Sequence, residues 1–206
     1  NALISFFTGL GTGSGVVISQ YFGAHNDQGV RDTVHTTVVA TLILAVFCTI
    51  LGVTATGTIL QWMDTPADVE PQAAAYLRIY FAGVAGLMFY NIGSGILRAV
   101  GDSTRPLYFL IFSALLNLGL DLLFVCVFHM GIEGAAWATI IAQAISAVLT
   151  FVVLGREKGS YRVELRALSI KKSVLGQVIK IGLPMAVQTG IISLSNVFVQ
   201  AYINAF

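Results

Sequence analysis

Six apolar stretches dominate the chain, from Ala2 to Phe22, Val34 to Trp62, Tyr76 to Val100, Leu107 to Met130, Ala135 to Leu154 and Ile181 to Phe206. Each reaches the roughly 20 residues that a helix needs to cross a hydrocarbon core. None shows the period of two expected of a transmembrane strand. The pattern predicts an all-α fold, a polytopic membrane helix bundle with five full crossings and a sixth that runs to the last residue. The connections carry helix punctuation. In Asp64-Thr65-Pro66-Ala67-Asp68, Thr65 is placed to cap a helix with Pro66 at its first position, and Asp68 completes a capping-box-like spacing. In Gly101-Asp102-Ser103-Thr104-Arg105-Pro106, Gly101 is expected to end one helix and Pro106 to open the next.

Composition makes lipid the solvent. Apolar residues are 56% of the chain and charged residues 10%, against about 25% charged in a soluble domain, and mean hydropathy is +0.84. So few charges cannot cover a water-exposed surface. The net charge of +1 hides a one-sided distribution. Arg31 lies in the first connection, Arg98 and Arg105 in the third, and Arg156, Lys158, Arg162, Arg166, Lys171, Lys172 and Lys180 in the fifth. Only Arg78 lies near an even-numbered one. Basic residues mark the cytoplasmic side, so the odd connections are assigned inside and the even ones, with Asp64, Asp68, Glu70 and Glu133, outside. Binding to nucleic acid would not produce this pattern.

The connection from Gly155 to Lys180 is longer than the others. Val174, Leu175, Val178 and Ile179 recur at helical spacing opposite Lys171, Lys172 and Lys180, which predicts an amphipathic helix along the cytoplasmic membrane surface. It is the expected boundary between two lobes, giving residues 1–155, a linker at 156–180 and a further helix at 181–206. The chain begins at Asn1 and ends within an apolar run, so it is expected to be a fragment. Its first stretch lacks a basic leader and a small-residue cleavage site, and is expected to be a span rather than a signal peptide. Cys48 and Cys126, with no metal-ligand spacing, are expected to pack as small apolar residues. The run Gly9 to Gly15 superficially suggests a phosphate-cradling loop, which would need a strand before it and a helix after it. Its pairs Gly9 with Gly13 and Gly11 with Gly15 have small-xxx-small spacing instead, and close helix packing is expected.

Asp121 is the only acidic residue inside the apolar stretches. A carboxylate at membrane depth costs roughly 2.5 to 3.5 kcal/mol on insertion scales, so a chain that keeps one usually uses it. Asn117 lies four residues earlier, on the same helical face. Asp121 stands about 9 residues before the end of its stretch, hence roughly 13 Å below the outer edge. Hard cations favour carboxylate, amide and hydroxyl oxygens, and this face supplies two of those types. It reads as a site for Na+ or a proton. The alternative is a protonated carboxyl bonded to a neighbouring helix.

Several segments then combine: Gly11-Thr12-Gly13-Ser14-Gly15, Gln20-Tyr21-Phe22-Gly23-Ala24, Tyr76-Leu77-Arg78-Ile79-Tyr80-Phe81, Leu97-Arg98-Ala99-Val100-Gly101-Asp102, Asn117 with Asp121, Gly134-Ala135-Ala136, and Gly182-Leu183-Pro184. In order and spacing, across nearly the whole chain, they resemble the multidrug and toxic compound extrusion (MATE) transporters. The resemblance implies twelve helices in two lobes of six about a pseudo-twofold axis, with both ends cytoplasmic. This chain would supply the second to sixth helices of the N-terminal lobe, the linker and the start of the seventh. The resemblance also implies a site made by an asparagine and an aspartate one turn apart on the fifth helix, a threonine on the sixth and an aspartate on the first. Asn117 and Asp121 match the first two, and Thr139 falls at the third; the first helix is not in the sequence. A second branch of the family carries an acid about two turns after the proline of the seventh helix. Pro184 to Ser193 contains none, which favours the N-lobe site.

For Thr139 the bland alternative is a bond to a carbonyl of its own preceding turn. Asn91, Gln143, Gln188 and Asn196 are expected either to extend a polar network or substrate cavity, or to serve as hydrogen-bonding glue between helices. The resemblance implies a non-enzymatic, secondary active exporter of cationic or amphiphilic compounds in exchange for Na+ or H+. No cofactor beyond that coupling ion is expected. It also implies a multi-pass protein of the cell membrane, a bacterial or archaeal inner membrane, that acts as a monomer when full length. A lipid-linked saccharide flippase of the same superfamily is the runner-up, but it would line its cavity with basic residues, and no lysine or arginine lies deep in these stretches. An intramembrane metalloprotease would need a His-Glu-x-x-His helix, whereas His25, His35 and His129 lie near the stretch ends, and Asp121 has no second catalytic aspartate in view. A structural membrane scaffold remains, and cation binding at Asp121 would separate it from a transporter.

Overall fold

The predicted stretches form helices in the computed structural model, which describes residues 2–62, 69–164 and 166–203. In chain order these are α1 (Ala2–Gly23), α2 (Asp27–Trp62), α3 (Glu70–Ala99), α4 (Thr104–Asp121), α5 (Gly131–Arg156) and α6 (Lys172–Ile203), with a π-helical segment, Leu122–Val127, continuing α4. Among the described residues, α2, α3, α4 with its π extension, α5 and the part of α6 up to Ile192 are long and apolar enough to cross a membrane. Their outer faces suit lipid: Leu42, Ile43, Val46, Phe47 and Ile50 of α2 are all exposed, where a soluble protein would avoid so continuous an apolar face. The capping box expected at Thr65, Pro66 and Asp68 lies outside the described residues.

Caps explain why helices begin before the apolar stretches do. At the end of α1, the Asn26 N–H donates to the Tyr21 carbonyl at 2.9 Å and the His25 N–H to that of Phe22 at 3.1 Å. This is a Schellman stop with His25, at φ 54°, in the left-handed position. Asn26 then accepts the Gly29 N–H through Oδ1 at 2.9 Å. That N-cap carries the polar residues from Asp27 to Arg31 into α2. At the end of α3 the same motif uses Gly101, with φ 91°, as predicted. The Asp102 N–H reaches Leu97 O at 2.9 Å and the Gly101 N–H reaches Arg98 O at 3.1 Å.

Among the described residues, the segment expected as an amphipathic helix is continuous with the last span, because α6 runs unbroken from Lys172 through Pro184. Val174 and Val178, the apolar face assigned to the bilayer, are buried against Val17 of α1, with Tyr21 and Ile181 packed around them.

Contacts group the described chain into two compact units whose boundaries cut through helices. The first holds the residues up to Ala40, Ser94–Asp102 and those from Leu154 onward. Within it α1 and α6 touch backbone to backbone. A Cβ added at Gly13 would come within 2.6 Å of the Gly182 nitrogen and closer still to its Cα. The Tyr21 hydroxyl donates to Gln177 Oε1 at 2.9 Å. The start of α2 grips the connection before α6: Arg31 pairs with Glu164 at 2.6 Å and Asp32 with Lys171 at 2.9 Å. His35 Nε2 accepts the Glu164 N–H at 3.1 Å and Thr36 Oγ1 the Lys171 N–H at 3.1 Å.

The second unit holds Thr41–Gly93 and Ser103–Val153. Glycines of α3 meet α5 in parallel register: Gly83 lies against Ile140, Gly86 against Ala144 and Gly93 against Thr150. Phe89 and Phe151 add an edge-to-face contact at 5.4 Å. α4 runs antiparallel to α5. The Ser113 hydroxyl donates to Ala142 O at 3.2 Å and the Ser146 hydroxyl to Phe109 O at 3.4 Å, while the Tyr90 hydroxyl of α3 donates to Pro106 O at 3.1 Å. Such bonds average about 0.6 kcal/mol between membrane helices. Only Pro106 and Ser113 of α4 are buried, so α4 is held by a few polar contacts and little packing.

Candidate functional site

The site grows from the face of α4 that carries Ser113, Asn117 and Asp121, each one turn beyond the last. Asn117 Nδ2 donates across to Thr139 Oγ1 of α5 at 3.5 Å. The Thr139 hydroxyl donates to Ala135 O in its own preceding turn at 2.9 Å. The local bond expected of a membrane threonine is therefore present, and the Thr139 oxygen still accepts from Asn117 with a lone pair to spare. One turn further along α4, Asp121 Oδ1 is buried and has no hydrogen-bond partner among the described residues. Buried polar atoms are ordinarily paired. A carboxylate oxygen left unpaired attracts a proton or a hard cation.

Helical geometry changes at this residue. Asp121 ends α4 and the backbone passes directly into the π segment. The Phe128 N–H reaches Leu123 O at 3.0 Å and the Met130 N–H reaches Phe124 O at 2.9 Å. π turns inside α-helices occur frequently at functional sites. Sequence reasoning missed this segment, and Leu122–Val127 reads as ordinary apolar helix. It also missed Ser113 and Ser146, whose spacing did carry a signal. Ser113 extends the Asn117 and Asp121 face by one turn, and Ser146 continues the Thr139 and Gln143 stripe of α5.

The other expected residues stand apart. Gln143 Oε1 is also buried without a partner among the described residues. The pairing of Ser113 with Ala142 puts Gln143 level with Phe112, nine residues from Asp121 and therefore roughly 13 Å along the axis. One ion cannot bridge that distance. Asn91 donates to Leu87 O of its own helix at 2.8 Å. The α3–α5 register places it level with Val148, again roughly 13 Å from Thr139. Gln188 and Asn196 are exposed residues of α6 in the first unit. Gln188 lines an open, mainly apolar concavity of about 580 Å³ with Leu183, Pro184 and Val187. Cys48 is half-buried, Cys126 is exposed, and both are free thiols.

Comparison with known proteins bears on the whole chain. The family model MatE matches residues 1–123. The probable multidrug resistance protein YoeA of Bacillus subtilis is 32% identical over 99% of this chain and 46% of its own length. The probable multidrug resistance protein YpnP of the same organism is 31% identical over 99% of this chain and 45% of its own. The chain thus spans a little under half the length of these relatives. A solved multidrug resistance MATE family transporter of the MOP superfamily, in its outward-facing conformation, superposes with a TM-score of 0.88 at 26% identity, covering 97% of this chain and 45% of that one. With the family model matched over more than half its length, and with its helices folded as in a solved member, the chain belongs to the MatE family of multidrug and toxic compound extrusion proteins.

Proposed function

We propose that this chain forms the cation-coupling part of a secondary active multidrug exporter, a transporter rather than an enzyme, that releases cationic or amphiphilic compounds outside in exchange for Na+ or H+. The observation that carries the reading is the buried, unpartnered Oδ1 of Asp121 at the point where α4 becomes π-helical. The amide of Asn117 and hydroxyl of Thr139, linked one turn away, supply further oxygens of the kind a hard cation takes. In this reading a proton or Na+ neutralises Asp121. Loss of the charge removes the reason for that oxygen to avoid its apolar surroundings. α4 is lightly held, and a π turn is easily re-registered, so a local change of charge moves this helix before it moves the tightly packed α3–α5 pair. A membrane potential of 100 mV contributes about 2.3 kcal/mol for each charge that crosses the full field. The names of the relatives, multidrug resistance proteins, support a broad substrate range.

The test is cation-driven efflux of a cationic dye by the full-length protein carrying Asp121→Asn, reconstituted in vesicles. Asparagine keeps the shape and removes the charge, so efflux driven by an imposed Na+ or proton gradient is expected to disappear. Parental efflux from correctly inserted variant would remove Asp121 from the coupling role.

A further inference from the structure

The first turn of α2 and the connection after α5 enclose a polar pocket of about 300 Å³, lined by Asp27, Gln28, Arg31, Lys158, Arg162 and Glu164 among others. Its charges are not all spent. Arg31 is taken by Glu164 at 2.6 Å, and the Gln28 amide donates to Asp32 at 3.0 Å. Among the described residues, Lys158, Arg162 and Asp27 have no ion-pair partner. Two cations and one carboxylate therefore face a cavity together. The pocket lies where α1 and α5 end and α2 begins, among the basic residues that by the positive-inside rule mark a cytoplasmic interface. Beside it Phe22, 40% exposed, packs edge to face on Tyr161 with ring centres 6.5 Å apart. Aromatic residues are enriched at headgroup depth, where an apolar body meets a wet rim.

At this depth, a headgroup that carries a phosphate and a protonated amine joined by a short link matches two cations and one anion. We propose that the pocket binds the phosphoethanolamine headgroup of an inner-leaflet lipid, with phosphate oxygens on Lys158 Nζ and the Arg162 guanidinium, and the primary ammonium on the Asp27 carboxylate. A choline headgroup has no N–H to donate to Asp27. A glycerol headgroup brings the phosphate but leaves Asp27 unanswered. Every residue used lies in the first unit, so the site is separate from Asp121 and does not depend on the transport reading.

The experiment uses full-length protein in detergent, titrated with short-chain phosphatidylethanolamine, phosphatidylglycerol or phosphatidylcholine, and with inorganic phosphate. Bound lipid is counted by native mass spectrometry and thermal melting is followed in parallel. Phosphatidylethanolamine is expected to be retained most strongly and to raise the melting temperature most, with no effect of phosphate alone at equal concentration. Lys158→Gln with Arg162→Gln should weaken retention about twenty-five-fold, from about fivefold for each interfacial cation. Asp27→Asn should abolish the preference for phosphatidylethanolamine over phosphatidylglycerol. Equal retention of the three lipids by the parent would overturn the proposal, as would stabilisation by phosphate alone or undiminished binding in the double variant. The parental lipid series needs no substitution, so it decides the matter even where a variant misfolds.

Discussion

Two glycines of α1, two positions apart, should respond oppositely to the same methyl group. At Gly13 a Cβ would sit 2.6 Å from the backbone nitrogen of Gly182, whereas ordinary contact begins near 3.4 Å. The shortfall is about 0.8 Å (3.4 less 2.6), and overpacking of this kind typically costs about 1 to 3 kcal/mol. The obstructing atoms are main chain, so no rotamer change relieves them; α1 and α6 must separate and loosen the cluster of Val17, Val174 and Val178. Against that, alanine in a helix interior gains about 0.5 to 1 kcal/mol over glycine. Gly13→Ala should therefore lose stability by up to about 2 kcal/mol. At Gly15 the added carbon would meet Gly95 O at 3.6 Å, an ordinary contact. Gly15→Ala should keep the propensity gain and melt at or slightly above the parent. The assay is thermal unfolding of the full-length protein in detergent, read by tryptophan fluorescence. Gly13→Ala melting at or above the parent would refute the backbone contact between α1 and α6.

Other outcomes follow from the same geometry. Thr139→Val removes the acceptor of Asn117 Nδ2 and should lower cation-driven dye efflux, while Thr139→Ser, which keeps the oxygen, should stay near parental in the same vesicle assay. Gly101→Ala puts a side chain at φ 91° and His25→Gly relieves one at φ 54°. Melting curves should show a loss of about 1 to 2 kcal/mol for the first and a gain of up to about 1 kcal/mol for the second. The pair of Arg31 with Glu164 is 45% and 37% exposed, so Arg31→Ala should change stability by less than about 1 kcal/mol, with the difference shrinking in high salt.

Much of the fold is legible in the sequence because a membrane span must satisfy its own backbone, and length and apolarity then suffice to find it. Gly101 announced its stop because glycine fits the left-handed cap without strain. His25 fills the same role at the end of α1 and announced nothing, since its side chain resists that conformation. The valines at 174 and 178 read as an apolar face, and in the structure that face packs on Val17 of α1. Periodicity tells which side of a helix avoids water but not whether lipid or another helix covers it. Asn117 and Asp121 stood out because polar groups are expensive in apolar runs, whereas Thr139 was singled out only through the family resemblance. Ser113 and Ser146 did not, being small enough to pass as packing residues, although they fix the α4–α5 register. The π segment left no trace in composition, for its leucines, valines, phenylalanine and cysteine are residues that build α-helix elsewhere in the chain.

The turn after Asp121 carries one more residue than an α-helix would accommodate, and each residue added to a helix swings everything beyond it by roughly 100°. The six residues Leu122–Val127 therefore work as an angular offset between the carboxylate and the residues that follow. Counted along the sequence, the positions beyond them fall one residue out of step with the face that holds Asn117 and Asp121. Deleting a single residue there should let the wide turn close into α-helix while the residues beyond keep their directions.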